Sequence, residues 1–191
     1  VYSVNVTDAS GCAQIFTTTL SNPTGPTLSI NTTSISCFGS NTGGATVTAS
    51  GTPAFTFTWT PAIGFVNLGN TSTALSLTSG TYNIGVTDGN GCIVNQTLNI
   101  TQSPSLNVIS NVSNVTCNAL CNGSITLNTS GGTPTYTFAW LPIAPPITGQ
   151  GTQTVTNLCA GNFSVNITDA ANCVVTKTFV ITQPSPISST L

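Results

Sequence analysis

Apolar and polar residues alternate with a period of two along much of the chain. Ala45, Val47 and Ala49 alternate with Thr46, Thr48 and Ser50, and Phe55, Phe57 and Trp59 with Thr56, Thr58 and Thr60. Tyr82, Ile84 and Val86 alternate with Asn83, Gly85 and Thr87, and Val94, Leu98 and Ile100 with Asn95, Asn99 and Thr101. Successive side chains of a β-strand point to opposite faces, so this pattern predicts strands with one face in a core. The threonines suit the solvent face, because a β-branched side chain fits the pleat. Between these runs lie Asn41-Thr42-Gly43-Gly44, Ser50-Gly51-Thr52-Pro53 and Asp88-Gly89-Asn90-Gly91, which predict turns. No window has helical periodicity with caps. About six or seven short strands per roughly 80 residues predict a small immunoglobulin-like β-sandwich.

The pattern recurs along the chain. Thr7-Asp8-Ala9-Ser10-Gly11-Cys12 returns as Thr87-Asp88-Gly89-Asn90-Gly91-Cys92 and again as Thr168-Asp169-Ala170-Ala171-Asn172-Cys173. From Asp8 to Asp88 is a step of 80 residues, and from Asp88 to Asp169 a step of 81. A fixed period of this size marks a repeat array. Cys37 aligns with Cys117, Phe55-x-Phe57-x-Trp59 with Tyr136-x-Phe138-x-Trp140, and Ile100-Thr101-Gln102 with Ile181-Thr182-Gln183. The longer step comes from one extra glycine, Gly132, in the turn before Thr133-Pro134. Two full repeats are expected, 27–103 and 104–185. Residues 1–22 are expected to be the C-terminal strands of a preceding repeat, and 186–191 the start of a linker to the next. Prolines at 23, 26, 104, 184 and 186 favour extended joints between repeats.

A core of about 80 residues is marginal alone, so a staple is expected. Seven cysteines supply it. Each full repeat has one near its start and one after the Asp turn, which predicts the pairs Cys37–Cys92 and Cys117–Cys173. Cys121 and Cys159 replace Asn41 and Thr78 of the first repeat, so they are expected to pair with each other. Cys12 is left over, with its partner expected upstream of residue 1. Disulfides imply an oxidising, extracellular compartment.

Charge narrows the function. The chain has one Lys, three Asp, and no Arg, His or Glu; charged residues are 2%, against about 25% in ordinary soluble proteins. Without a basic patch, nucleic-acid binding is not expected. No apolar run approaches the ~20 residues of a membrane helix, so membrane insertion is not expected. One Asp per repeat and no His leave no acid–base pair, so no enzyme activity, cofactor or metal is expected. The three Asp are read as turn residues, and Trp59 and Trp140 as core rather than as a sugar-stacking platform. The surface must be mostly Thr, Ser, Asn, Gln and Gly, which lets copies approach without charge repulsion.

The order of these motifs runs Cys, Gly-rich turn, alternating strand, Gly-Thr-Pro, aromatic-x-aromatic-x-Trp, Gly-x-Tyr/Phe, Thr-Asp-x-x-x-Cys and Ile-Thr-Gln. It resembles the SprB-like repeats of Bacteroidetes gliding-motility adhesins and related giant cell-surface repeat proteins. The resemblance covers nearly the whole chain. It implies secretion to the cell surface, tandem domains, and a part in adhesion or gliding motility.

Two apolar stretches stand where polar loops are expected, 61–68 and 141–147. Exposed apolar patches mark contacts, so Ile63, Phe65, Val66, Leu68, Ile143, Pro145, Pro146 and Ile147 are candidate contact residues. The alternative is that each loop folds over its own domain. The sequence therefore predicts an all-β chain of tandem, disulfide-stapled immunoglobulin-like sandwich repeats. The expected function is a structural or adhesive module of a long extracellular surface protein, forming or decorating a fibre. Its expected partners are neighbouring repeats and other copies in a fibre. The alternative is an adhesin repeat whose loops bind surface glycans.

Overall fold

The computed structural model describes residues 1–142 and 147–188. All regular elements among them are β-strands. They are β1 (Tyr2–Thr7), β2 (Ala13–Thr18), β3 (Thr27–Thr33), β4 (Gly43–Ser50), β5 (Thr56–Thr60), β6 (Phe65–Leu68), β7 (Thr71–Leu77), β8 (Gly80–Thr87), β9 (Ile93–Ile100), β10 (Asn107–Ser113), β11 (Gly123–Ser130), β12 (Tyr136–Leu141), β13 (Thr154–Leu158), β14 (Gly161–Asp169) and β15 (Val174–Ile181). They form a β1-β2 hairpin and sheets ordered β3-β4-β7-β6, β5-β8-β9, β10-β11-β13 and β12-β14-β15. The fold is all-β and sandwich-like.

The chain divides into two compact units. Unit 1 comprises Val1–Asn31, Ala45–Ala74 and Tyr82–Leu98; unit 2 comprises Thr32–Gly44, Leu75–Thr81 and Asn99–Leu191.

In unit 1 the alternating residues fill a core. Phe57 faces Val86, and Trp59 faces Ile84, across the β5–β8 ladder. All four are buried, together with Val47, Ala49, Ala74 and Tyr82. The intervening threonines of β5 are exposed. Trp59 donates its indole N–H to the buried hydroxyl of Ser72 on β7, at 3.0 Å. That bond joins strands of two sheets and satisfies a donor that would otherwise be buried unpaired. In the β1–β2 hairpin, Val4 lies opposite Phe16, and Tyr2, Val4 and Val6 are all exposed.

In unit 2 the core joins Val108, Ile125, Leu127, Val155 and Leu158 of one sheet to Phe138, Trp140, Phe163, Val165, Ile167 and Ile181 of the other. Each such side chain contributes about 1.5–3 kcal/mol by leaving water. Trp140 donates its indole N–H to the Thr152 carbonyl at 2.9 Å. Gln150 clamps the Trp140 backbone by accepting from its N–H and donating to its carbonyl.

Gly43 opens β4 rather than merely turning the chain. A Cβ there would lie 2.6 Å from Ile100 Cγ2 and 2.8 Å from the Leu77 carbonyl oxygen. Gly123, one repeat later, would meet Ile181 Cγ2 and the Leu158 carbonyl oxygen, both at 3.0 Å. Glycine therefore sits at both points because the neighbouring strand approaches too closely for a side chain.

Candidate functional site

The three Asp motifs build one turn three times. Asp8 Oδ1 accepts from the N–H groups of Ser10 and Cys12, at 2.8 and 3.0 Å. Asp88 Oδ1 does so from Asn90 and Cys92, and Asp169 Oδ1 from Ala171 and Cys173, all at 2.9 Å. Asp side chains favour such turns because they can bond their own backbone two residues on. The residue before each cysteine has positive φ: Gly11 at 85°, Gly91 at 80° and Asn172 at 64°. Glycine and asparagine are the residues that tolerate this region. The Asp thus positions the cysteine beside it.

The second carboxylate oxygen separates the turns. Asp169 Oδ2 accepts the Thr133 N–H at 2.8 Å. That bond lowers the Asp169 pKa most; burial opposes it, and the Cys173 and Ala171 N–H groups lower it further. Asp88 Oδ2 is buried without a hydrogen-bond partner. The inserted Gly132 is next to Thr133, and a Cβ on it would lie 2.6 Å from Asp169 Oδ2.

The cysteines pair differently from the sequence expectation. Cys37 bonds to Cys173, with Cα atoms 5.5 Å apart, and Cys121 bonds to Cys159. Cys12, Cys92 and Cys117 are free thiols, so the expected pairs Cys37–Cys92 and Cys117–Cys173 are not formed. The reason is strand direction. Cys37 follows β3, and its loop is held where Gly39 N–H donates to Gln102 Oε1 at 2.9 Å, just past β9. Ile35 bridges Gln102 in the parallel sense. Cys92 precedes β9, so eight residues of strand, about 27 Å at ~3.4 Å each, separate the two ends. The second repeat has the same layout: Ala119 N–H donates to Gln183 Oε1 at 3.1 Å, beyond β15, while Cys173 precedes β15. A disulfide tolerates Cα separations only up to about 7 Å. The signal available in the sequence was the position of each cysteine before or after its strand.

The Cys37–Cys173 bond lies wholly in unit 2, yet Cys37 comes from the first sequence repeat and Cys173 from the second. The joint runs past it. Pro104, Ser105 and Leu106 line one groove with Cys37, Phe38 and Cys173. Gly132 N–H donates to the Pro104 carbonyl at 3.1 Å, fixing the joint against the turn that carries the extra glycine.

The candidate contact residues separate into two kinds. Residues 65–68 are not a loop but strand β6, at the edge of its sheet and paired Phe65 to Ala74 through Leu68 to Thr71. Phe65 leans on Trp59, ring centroids 6.5 Å apart, and Ile63 is half-buried. Val66 and Leu68 are 71% and 82% exposed, which makes them the free apolar residues of this edge. In the second stretch Ile147 packs against the unit 2 core. Ile143, Pro145 and Pro146 lie outside the described residues.

No group of three or more potential metal-binding side chains is gathered among the described residues. Among the described residues there is no helix long and apolar enough to cross a membrane.

Fold and motif together define a chain of immunoglobulin-like β-sandwich repeats. The SprB repeat family model matches it twice, over residues 29–62 and 109–145, as the motif order led us to expect. No curated protein matches the chain. Among solved structures, it is similar to a C-terminal fragment of intimin in complex with the translocated intimin receptor, at 18% identity, covering 84% of this chain and 64% of that one, TM-score 0.39. It is similar to the N-terminal eight immunoglobulin domains of Down syndrome cell adhesion molecule, at 12% identity over 84% and 25%, TM-score 0.38. It is also similar to the Yersinia pseudotuberculosis adhesin InvE, at 13% identity over 82% and 58%, TM-score 0.29. The chain spans less than two thirds of each of these structures.

Proposed function

We propose that this chain is a non-enzymatic structural and adhesive module of a long cell-surface repeat protein, forming or decorating an extracellular fibre. The observation that carries the reading is the disulfide that ties a first-repeat loop to the second-repeat Asp turn, in a chain that twice matches the SprB repeat. Such a bond shortens the covalent path along the chain and resists its extension. The charge-poor surface removes the repulsion that keeps most soluble proteins apart. The exposed edge of β6 offers unpaired backbone groups beside Val66 and Leu68, a template for pairing with another copy.

Sedimentation of the chain at rising concentration tests this. Association is expected for the wild type, and loss of association for the Val66→Asp/Leu68→Asp double variant. A wild type that stays monomeric to millimolar concentration would remove the fibre reading. The adhesive part is tested on an array of surface glycans. Trp59 and Trp140 are buried, so glycan recognition would have to come from the loops. Binding there, without self-association, would favour the gliding-type adhesin.

A further inference from the structure

We propose that Cys37–Cys173 is one rung of a repeating series: the first cysteine of each repeat bonds to the Asp-turn cysteine of the repeat that follows. Cys117 and Cys92 are then the open halves of two further rungs, each completed by a cysteine of another repeat of this type. The proposal rests on the repeat reading and goes beyond the fibre reading, since it concerns covalent joints and not association between surfaces.

Both halves of the observed rung recur at the free thiols. Cys117 repeats the surroundings of Cys37. The Ser40 N–H donates to the Cys37 carbonyl and the Leu120 N–H to the Cys117 carbonyl, each at 3.2 Å. A glutamine carboxamide caps each loop, Gln102 for the first and Gln183 for the second. The outgoing segment runs beside each as well: Asn118 Nδ2 donates to the Pro184 carbonyl at 3.1 Å, and Ser185 and Pro186 line a groove with Cys117. Cys117 is exposed.

Cys92 repeats the surroundings of Cys173. Each donates its backbone N–H to Oδ1 of its turn aspartate, at 2.9 Å. The incoming segment passes close to each. A Cβ at Gly25 would lie 3.6 Å from Cys92 Cβ, just as Pro104–Leu106 line the groove that holds Cys173. One half of a bridge is therefore built at each thiol. The half that is bonded in one place is open in the other. Cys12 has the same Asp turn and is a third half of the Cys173 kind.

Closing a rung joins two thiols. The S–S bond forms as two S–H bonds break, releasing two protons and two electrons. A small-molecule or protein disulfide takes them and becomes two thiols, through a mixed-disulfide step. The partner cysteine can come from the same polypeptide or from a second copy.

Two arms of one experiment separate these sources. In the first, a second copy of residues 104–185 is appended after residue 185 and marked by Val174→Ile. The extended chain is oxidised with glutathione disulfide and its peptic peptides are mapped by mass spectrometry. The expected result is Cys117 bonded to the marked Cys173 in a monomer, with Cys37 still bonded to the unmarked one. In the second arm the 191-residue chain is oxidised at rising concentration. Dimers holding Cys117 bonded to Cys12 or Cys92 of another copy show that a second chain can complete the rung. Monomers in that arm, with the rung closed in the first, assign the partner to the same polypeptide. Cys117→Ser removes the new link in both arms. Cys117 bonded to Cys173 of its own repeat overturns the proposal, and so does Cys117 that stays open to alkylation in both arms. Neither result touches the sedimentation test of the β6 edge, which is run on reduced and oxidised protein alike.

Discussion

The turn aspartates share one backbone role and differ in a single atom. In Asp169 both oxygens are used, and the Thr133 N–H is the largest cause of its lowered pKa. A carboxyl whose pKa is lower folded than unfolded stabilises the fold above its ordinary pKa, and that contribution is lost as pH falls through the folded value. Thermal midpoints measured from pH 6 downward are therefore expected to fall below about pH 4, and less steeply in Asp169→Asn. At neutral pH, Asp169→Asn turns an N–H donor toward the Thr133 N–H and is expected to cost about 1–3 kcal/mol. Asp88→Asn is expected to cost less, because Asp88 Oδ2 has no bond to lose. Equal losses by urea denaturation would contradict the difference drawn between the two turns. The aspartates were legible as turn residues because Asp three before a glycine or asparagine is strong turn chemistry. The split between them was not, since it depends on the Thr133 N–H reaching Asp169 Oδ2 from a turn far away in sequence.

At the scale of elements, the strands were legible wherever one face is buried and the other wet. Val47, Trp59, Ile84 and Val165 all fall on the buried side of their alternation. Strand β6 was hidden because an edge strand with Val66 and Leu68 exposed does not alternate inward and outward. Gly43 was legible only as a turn residue; its contact with Ile100 comes from a strand more than fifty residues on. Gly43→Ala should therefore overpack the core and cost about 1–3 kcal/mol by chemical denaturation. Gly64→Ala, with no atom within 4 Å of its Cβ, is the matched control and should be near neutral. A neutral Gly43→Ala would mean that Ile100 moves aside freely.

Covalent connection is set at the scale of the whole molecule, and here the sequence misled. Pairing cysteines within a repeat is natural when each repeat holds one near its start and one after its Asp turn. It fails because Ile35, just after β3, bridges Gln102, just after β9, in the parallel sense, which leaves the two cysteines at opposite ends of the last strand. Cys121–Cys159 was legible because both positions change together between repeats. Its bond spans a sequence separation of 38, and Cys121→Ser is expected to cost about 4 kcal/mol in the chain-entropy model, read as a drop in thermal midpoint. Cys37–Cys173 spans 136 and is worth about 5 kcal/mol on the same model.

A bond of that span also governs how the chain bears tension between its ends. Pulling the single oxidised chain from residues 1 and 191 measures this directly. With Cys37 bonded to Cys173, only the residues outside the bridge can extend, to about 200 Å at ~3.6 Å per residue. Reduction should then release the enclosed segment and bring the total to about 690 Å. An oxidised chain that reaches about 280 Å, the length left by Cys37–Cys92 and Cys117–Cys173, or that extends fully without reduction, would contradict a string whose repeats are locked to one another.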